Sequence, residues 1–256
     1  SGTFLASCTP GNDGVDEMIV GLASPRGLMP LDDGRLLISE GGAGRLLLLD
    51  RENNVKVLYE GIPYLQSGPE GAPVGVSAAI RIDDAYYYIV GEARAKEFRE
   101  VYEWIPGTSP RAMTGQDPLG INPPNPLTNP YDILAHESDG LFVSDAGANT
   151  VWHVSLSGEI SLYAKLNPLL YPTEEGHKKT QAVPTGMAFG PEGALYVATL
   201  TGYPYPPNAA RIMRLYDRNG DGDALDEDET TVYASGFTTA TDVAFRPDGS
   251  MLVTEY

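Results

Sequence analysis

Residues 183–199 read VPTGMAFGPEGALYVAT: an apolar run, a Glu-Gly turn, and a second run with apolar residues at alternating positions. Two such runs joined by an acidic residue and a glycine are typical of a β-hairpin, because glycine adopts the positive φ that tight turns require. Three further stretches align with this one without gaps: residues 24–40 (SPRGLMPLDDGRLLISE), 129–145 (NPYDILAHESDGLFVSD) and 239–255 (TATDVAFRPDGSMLVTE).

The copies keep a common phase. Gly27 and Glu40 are thirteen residues apart, and a weaker copy at residues 77–91 (SAAIRIDDAYYYIVG) keeps its turn in place. Third and fourth apolar segments follow most copies, so that each repeat of about 50 residues predicts four antiparallel strands, which is a propeller blade. A β-sandwich is the alternative, but it has no reason to repeat its turn chemistry in phase. The spacing of thirteen recurs at Asp132 and Asp145, Gly186 and Thr199, and Asp242 and Glu255.

The repeat therefore predicts an all-β fold, a six-bladed β-propeller. A six-bladed ring needs about 80 residues more than the repeats supply, so we expect the chain to stop within the fifth blade. Residues 16–22 match a fourth strand and are expected to close the ring. The predicted blades are residues 24–60, 74–115, 129–165, 183–235 and, in part, 239–256.

Composition limits the function. The chain has 256 residues and a formal net charge of −18, which disfavours binding to nucleic acid because phosphates would be repelled. Its single cysteine, Cys8, excludes a disulfide framework and a multi-cysteine zinc site. The sequence has no apolar stretch long enough for a membrane span. We expect a monomer.

The first residues predict an extracytoplasmic location. Residues 5–8 (LASC) are similar to a bacterial lipobox, in which the cysteine, here Cys8, is lipidated and begins the mature chain. Residues 1–15 are then a processed signal and lipoprotein tether. The alternative is a free cysteine in a mobile tail, and both interpretations place the protein in the periplasm, outside the cell or on a lipid anchor.

Two stretches, residues 181–205 (QAVPTGMAFGPEGALYVATLTGYPY) and 231–238 (TVYASGFT), resemble the ScyD/ScyE family of secreted bacterial propeller proteins. SPRGL at 24–28, NPYDILA at 129–135 and SDAGANTVWHV at 144–154 extend the resemblance over nearly the whole chain. The resemblance implies a six-bladed propeller of the NHL and sugar-dehydrogenase-like type. It implies no activity, because the family has no settled one.

An acidic insertion departs from that family pattern. Residues 217–229 read DRNGDGDALDEDE and match the calcium-loop pattern D-x-[DN]-x-[DN]-G. Calcium prefers six to eight oxygen ligands, and this spacing turns alternate side chains inward around a glycine bend. The alternative is a solvated acidic turn, which seven carboxylates in thirteen residues would destabilise by mutual repulsion. We therefore predict a structural Ca²⁺ held by Asp217, Asn219, Asp221, Asp223 and Asp228.

A second group of acidic residues is predicted on the face where first strands begin and second strands end. Asp132 and Asp242 start first strands and are candidates for holding a cation or a polar ligand, although a structural role is equally open. Long loops at residues 63–74, 116–129, 166–183 and 202–208 open on the same face, and long loops on a rigid scaffold often bind ligands. Second strands end at Glu40, Asp145 and Glu255, which are expected mainly to accept backbone N–H bonds.

The preferred function is a non-catalytic, calcium-stabilised module that binds a small molecule, a glycan or a protein on the loop-rich face. One alternative is a metal-dependent, lactonase-like hydrolase using Asp132 and Asp242, although no asparagine occupies an equivalent position. Another is a quinone-dependent oxidoreductase similar to sugar dehydrogenases, for which only His177 lies where a catalytic base is needed. No catalytic residue can be assigned from the sequence.

Overall fold

The structure is a computed structural model that describes residues 18–68, 71–93, 97–115, 126–136 and 140–256. It divides into two compact units, residues 1–112 and 113–256. Cys8 and the predicted tether, residues 1–15, lie outside the described residues.

The first unit contains two antiparallel sheets whose strands are hydrogen-bonded in chain order. A short 3-10 helix, Gly41–Ala43, follows the second strand of the first sheet. The first sheet comprises β1 (Pro25–Pro30), β2 (Leu36–Glu40), β3 (Arg45–Leu49) and β4 (Val55–Glu60). The second comprises β5 (Val76–Ile82), β6 (Ala85–Val90), β7 (Glu100–Trp104) and β8 (Arg111–Ala112).

The second unit contains two further sheets of the same kind and two strand pairs. One sheet comprises β9 (Pro130–His136), β10 (Gly140–Asp145), β11 (Thr150–Val154) and β12 (Ile160–Lys165), and a hairpin of β13 (Leu169–Thr173) and β14 (Gly176–Thr180) follows it. The other comprises β15 (Ala182–Phe189), β16 (Leu195–Thr201), β17 (Ala210–Leu215) and β18 (Thr230–Phe237). The last pair is β19 (Ala240–Phe245) and β20 (Met251–Glu255).

Four-stranded antiparallel meanders repeated along the chain are the blades of a propeller, and the predicted all-β propeller class is confirmed. The described residues contain no α-helix, and none of their helices is long and apolar enough to cross a membrane.

The first strands share an irregularity at the repeated position. In β15 the register passes from Pro184↔Thr199 to Met187↔Val197, and in β19 it passes from Ala240↔Glu255 to Asp242↔Thr254. Such a bulge bends the strand and re-aims the side chain beside it. The irregularity therefore falls beside the equivalent positions Asp132, Gly186 and Asp242 in the three first strands.

Neighbouring blades of the second unit are joined by buried polar bonds as well as by apolar packing. Ser144 Oγ donates to the Thr185 carbonyl at 2.7 Å, and Thr185 Oγ1 lies 3.1 Å from the Ala240 carbonyl. Ser144 and Thr185 are almost fully buried, so these bonds are sheltered from water. Around them, side chains from adjacent sheets form the core, including Phe142, Val151, Tyr163, Leu195, Val197 and Leu215.

Two segments differ from the sequence-based expectation. Residues 166–183, expected as an open loop, contain the β13–β14 hairpin, whose Pro172 and charged tip hide the alternation that marks a strand. Leu169 is buried, which explains how the hairpin is anchored. In the described part of the predicted closing segment 16–22, residues 18–22, only Val20 forms a bridge, and Ile19 and Leu22 pack against the apolar side chains of β2 and β3.

Candidate functional site

The acidic residues at the ends of the second strands accept hydrogen bonds from the backbone just before the first strand of the same blade. Asp145 Oδ2 accepts the backbone N–H of Thr128 at 2.7 Å, and its Oδ1 accepts that of Asn129 at 2.8 Å. Glu255 Oε1 accepts the backbone N–H of Thr238 at 2.7 Å. Each carboxylate therefore fixes the chain just before the first strand, which is a structural task.

Glu40 does the same in the first unit, with a cation added. Its Oε1 accepts the backbone N–H of Ala23 at 2.7 Å, while Oε2 lies 2.6 Å from the Arg45 guanidinium. The Glu40 side chain is fully buried, so a compensating charge is required.

Asp132 and Asp242 are brought together around one peptide of β15. Asp132 Oδ2 accepts the backbone N–H of Met187 at 2.8 Å, and Oδ1 accepts that of Ile133 at 2.9 Å. On the other side, a Cβ atom built on Gly186 would lie 2.0 Å from Asp242 Oδ1. Glycine is therefore required beside Asp242, and the two acids lie on either side of the Gly186–Met187 peptide; that they hold a cation or a ligand stays a prediction.

The environment of this pair favours the protonated form. Burial, followed by the negative charge of Asp242, raises the pKa of Asp132 from 3.8 to about 7. Burial also raises the pKa of Asp242. Two acids with raised pKa values in one place can bind a cation, share a proton or donate to a ligand.

The predicted calcium loop folds around its own carboxylates. Asp217 Oδ1 and Oδ2 accept the backbone N–H groups of Gly220 and Gly222 at 2.6 and 2.9 Å. Both glycines have positive φ, which permits the reversal after Asp217. Asn219 Oδ1 accepts the N–H of Asp221, and Asp221 Oδ1 accepts that of Asp223. Alternate side chains of the loop therefore accept hydrogen bonds from its own backbone, and their binding of calcium stays a prediction.

Glu229 is a loop residue whose role the spacing did not identify. It is 2% exposed, and its two oxygens accept the N–H groups of Arg218 at 2.8 Å and Asp226 at 3.2 Å. Asp228, at the predicted twelfth position, is exposed instead. Within the described residues, no group of three or more His, Cys, Asp or Glu side chains is arranged to hold a metal.

The loop is attached to the neighbouring blade. Ala224 is fully buried in the core, and its N–H donates to the Tyr163 carbonyl of β12 at 2.7 Å. Burial, then the charge of Asp217, raises the pKa of Tyr163 to about 12. The acidic loop therefore lies against blade three and contributes to the packing between two blades.

The loop-rich face has features of a binding surface in the second unit. Residues 202–208 expose Tyr203 and Tyr205, at 89% and 43%. The β13–β14 hairpin adds exposed residues, among them His177, Lys178 and Lys179, and it is tied to this segment because Thr180 Oγ1 lies 3.5 Å from the Gly202 carbonyl. Of the predicted loop at residues 116–129, residues 116–125 lie outside the described part of the chain.

Comparison with known families and curated sequences gives limited information. Residues 180–256 match a family model described as a domain of unknown function, DUF7133. No curated protein sequence matches the chain.

Solved structures resemble the chain over most of its length. An inactive virginiamycin B lyase from Staphylococcus aureus with quinupristin covers 96% of this chain and 69% of its own, at 16% identity and a TM-score of 0.57. A gluconolactonase from Xanthomonas campestris covers 90% and 82%, at 13% identity and a TM-score of 0.55. A chain of the nidogen/laminin complex covers 86% and 70%, at 14% identity and a TM-score of 0.55. These similarities establish an all-β propeller of the six-bladed type, a fold shared by lyases, lactonases and binding modules.

Proposed function

We propose that this protein is an extracytoplasmic, calcium-stabilised binding propeller related to the ScyD/ScyE family. The observation that carries the proposal is the loop at residues 217–229, which folds with Asp217, Asn219 and Asp221 directed at its own backbone. The side-chain atoms that could bind a metal in this loop are carboxylate and amide oxygens, which are the ligands that Ca²⁺ prefers. Outside the cytoplasm the Ca²⁺ concentration is high enough to occupy a loop that binds calcium with modest affinity.

The loop needs a cation for an electrostatic reason. Residues 217–229 contain seven carboxylates and one arginine, Arg218. Bound calcium would offset their repulsion and hold the loop in the shape that buries Ala224. Because Ala224 and Tyr163 join two blades, we expect calcium to stabilise the propeller rather than to take part in a reaction.

The test is thermal unfolding of the 256-residue chain in calcium and in chelator. We expect Tm to rise with calcium, and we expect Asp217→Ala and Asp221→Ala to remove that response. Glu175→Ala is the matched control, because Glu175 is an exposed acid in the same unit, outside the loop. The loop assignment would be wrong if both loop variants responded to calcium as strongly as the parent does.

The ligand is proposed to bind the loop-rich face. Exposed Tyr203 and Tyr205 offer aromatic surface for a sugar ring or a protein side chain, and the Asp132–Asp242 pair offers a polar contact. A small molecule, a glycan or a protein fits these features, and nucleic acid does not because of the net charge of −18. Glycan-array binding with Tyr203→Ala and Tyr205→Ala distinguishes this face from the rest of the surface.

The Asp132–Asp242 pair also supports a second candidate, a metal-dependent hydrolase of the lactonase type. Two adjacent acids with raised pKa values can supply a metal ligand and a general base. Elemental analysis before and after chelation tests this candidate. One calcium whose removal unfolds the protein favours the binding module, whereas a second metal lost without unfolding, together with lactone hydrolysis abolished by Asp242→Asn, favours the hydrolase.

A further inference from the structure

A recess in the second unit lies away from the Asp132–Asp242 pair, at the opposite ends of the strands. It has a volume of about 520 Å³, which is in the range of small-molecule pockets. One side is formed by the ends of β9 to β12 and β15, and another by Asp217 and Gly222 of the acidic loop. Six of its lining residues carry rings: His136, Phe142, His153, Tyr163, Phe189 and Tyr216.

The rings support one another and form a preorganised wall. The Phe142 centroid lies 4.8 Å from that of Tyr163, at 85°, and 5.5 Å from that of Phe189, at 82°. His136 lies 4.5 Å from Phe189. The two edge-to-face contacts of Phe142, together with the burial of Phe142 and Tyr163, fix these rings before any ligand arrives.

The charge of the recess has one sign. Asp217 is the only carboxylate among the described lining residues, and none of those residues is lysine or arginine. The carboxylates of the adjacent loop add to the negative potential, which also contributes to the raised pKa of Tyr163. The guanidinium of Arg214 lies 4.7 Å from the Tyr216 ring centroid, and its charge is compensated by Glu192 at 3.4 Å.

We propose that this recess binds a small organic cation, of the quaternary ammonium or alkylated amine class. Ring faces attract such a cation through their quadrupoles, and a single carboxylate supplies the opposite charge. A neutral apolar ligand would use the rings but not Asp217, and an anion would be repelled. The site is separate from the loop-rich face, but it shares Asp217 with the proposed calcium loop, so calcium bound there would offset the carboxylate that the organic cation needs.

The test uses choline and its neutral isostere, 3,3-dimethyl-1-butanol, titrated into the 256-residue chain by calorimetry at fixed ionic strength. We expect saturable choline binding, at least about tenfold tighter than that of the isostere, because only choline carries the charge. The titration is run in chelator, where no calcium offsets the charge of Asp217, and is repeated in calcium, so that binding in chelator tests this proposal whether or not the loop binds calcium.

Matched variants locate the site. Tyr216→Leu should weaken choline binding several-fold while Tyr216→Phe keeps it, because only the first change removes the ring. Asp217→Asn should weaken binding, whereas Glu227→Gln, which removes the same charge from the same loop outside the recess, should not. Equal affinity for choline and the isostere, equal effects of Asp217→Asn and Glu227→Gln, or no saturable binding would each overturn the proposal.

Discussion

The carboxylate of Asp132 in β9 accepts the backbone N–H of Met187 in β15 at 2.8 Å, so a side chain of one blade completes the hydrogen bonding of the next. Met187 is the residue at which the pairing of β15 with β16 resumes after its register irregularity, so Asp132 ties this part of β15 to the neighbouring blade. Asp132 therefore has a structural task in addition to any contact with a ligand.

The raised pKa of Asp132 predicts a pH-dependent stability. A folded-state pKa of about 7 against an ordinary value of 3.8 means that the folded protein holds this proton more tightly than the unfolded chain does. The resulting stabilisation is complete below pH 4 and is lost as the pH rises through 7, with a slope of at most about 1.4 kcal/mol per pH unit.

Asp242→Asn isolates this effect. It removes the neighbouring charge, so the pKa of Asp132 falls and the loss of stability between pH 5 and pH 7.5 becomes smaller than in the parent. Urea unfolding at both pH values measures the difference, with the exposed Asp84→Asn as a control for net charge. Parallel pH profiles for the parent and Asp242→Asn would contradict the coupling of the two acids.

Gly186 is predicted to be intolerant of a side chain. A Cβ atom there would lie 2.0 Å from Asp242 Oδ1 and 2.7 Å from Asp242 Cα, so backbone as well as side chain must move. We expect Gly186→Ala to lower the free energy of unfolding by roughly 1–3 kcal/mol, the usual cost of overpacking.

Gly202→Ala is the control for this change. Its Cβ would meet only the Gln181 side chain, at 3.3 Å or more, so its effect should be much smaller. Chemical denaturation measures the free energy of unfolding of both variants. If both lose the same amount, the added methyl group itself destabilises the protein, and the close approach of β19 to Gly186 does not.

Glu229 and Asp228 make a matched pair for the acidic loop. Glu229→Gln leaves one backbone donor without its acceptor in a buried place and should cost about 1–3 kcal/mol. Asp228→Asn changes an exposed side chain and should stay within about 0.5 kcal/mol. Thermal unfolding in chelator measures these structural effects apart from calcium binding, and a loss for Asp228→Asn as large as that for Glu229→Gln would contradict the structural role of buried Glu229.

Much of the fold follows from local sequence. The alternation and the turns at residues 24–40, 129–145, 183–199 and 239–255 predict hairpins that the structure contains, because side-chain alternation and glycine turns act over a few residues. The β13–β14 hairpin escaped prediction because its stability comes from burial of Leu169 rather than from its own pattern.

The candidate sites divide in the same way. The spacing of Asp217, Asn219 and Asp221 along one loop is readable from the sequence, since a loop of this kind builds its geometry locally. The burial of Glu229 is not readable in this way, because it depends on how the loop packs rather than on spacing, and the assignment of Asp228 to calcium stays a prediction.

The sequence by itself therefore determined the repeat, the propeller class, the acidic loop and the equivalence of Asp132, Gly186 and Asp242. Only the tertiary structure decided that Gly186 separates the two acids, and that rings from β9, β10, β11, β12 and β15 meet the acidic loop around one recess. The reason is physical: contacts between blades join residues tens of positions apart, and their partners are selected by packing and burial rather than by local pattern.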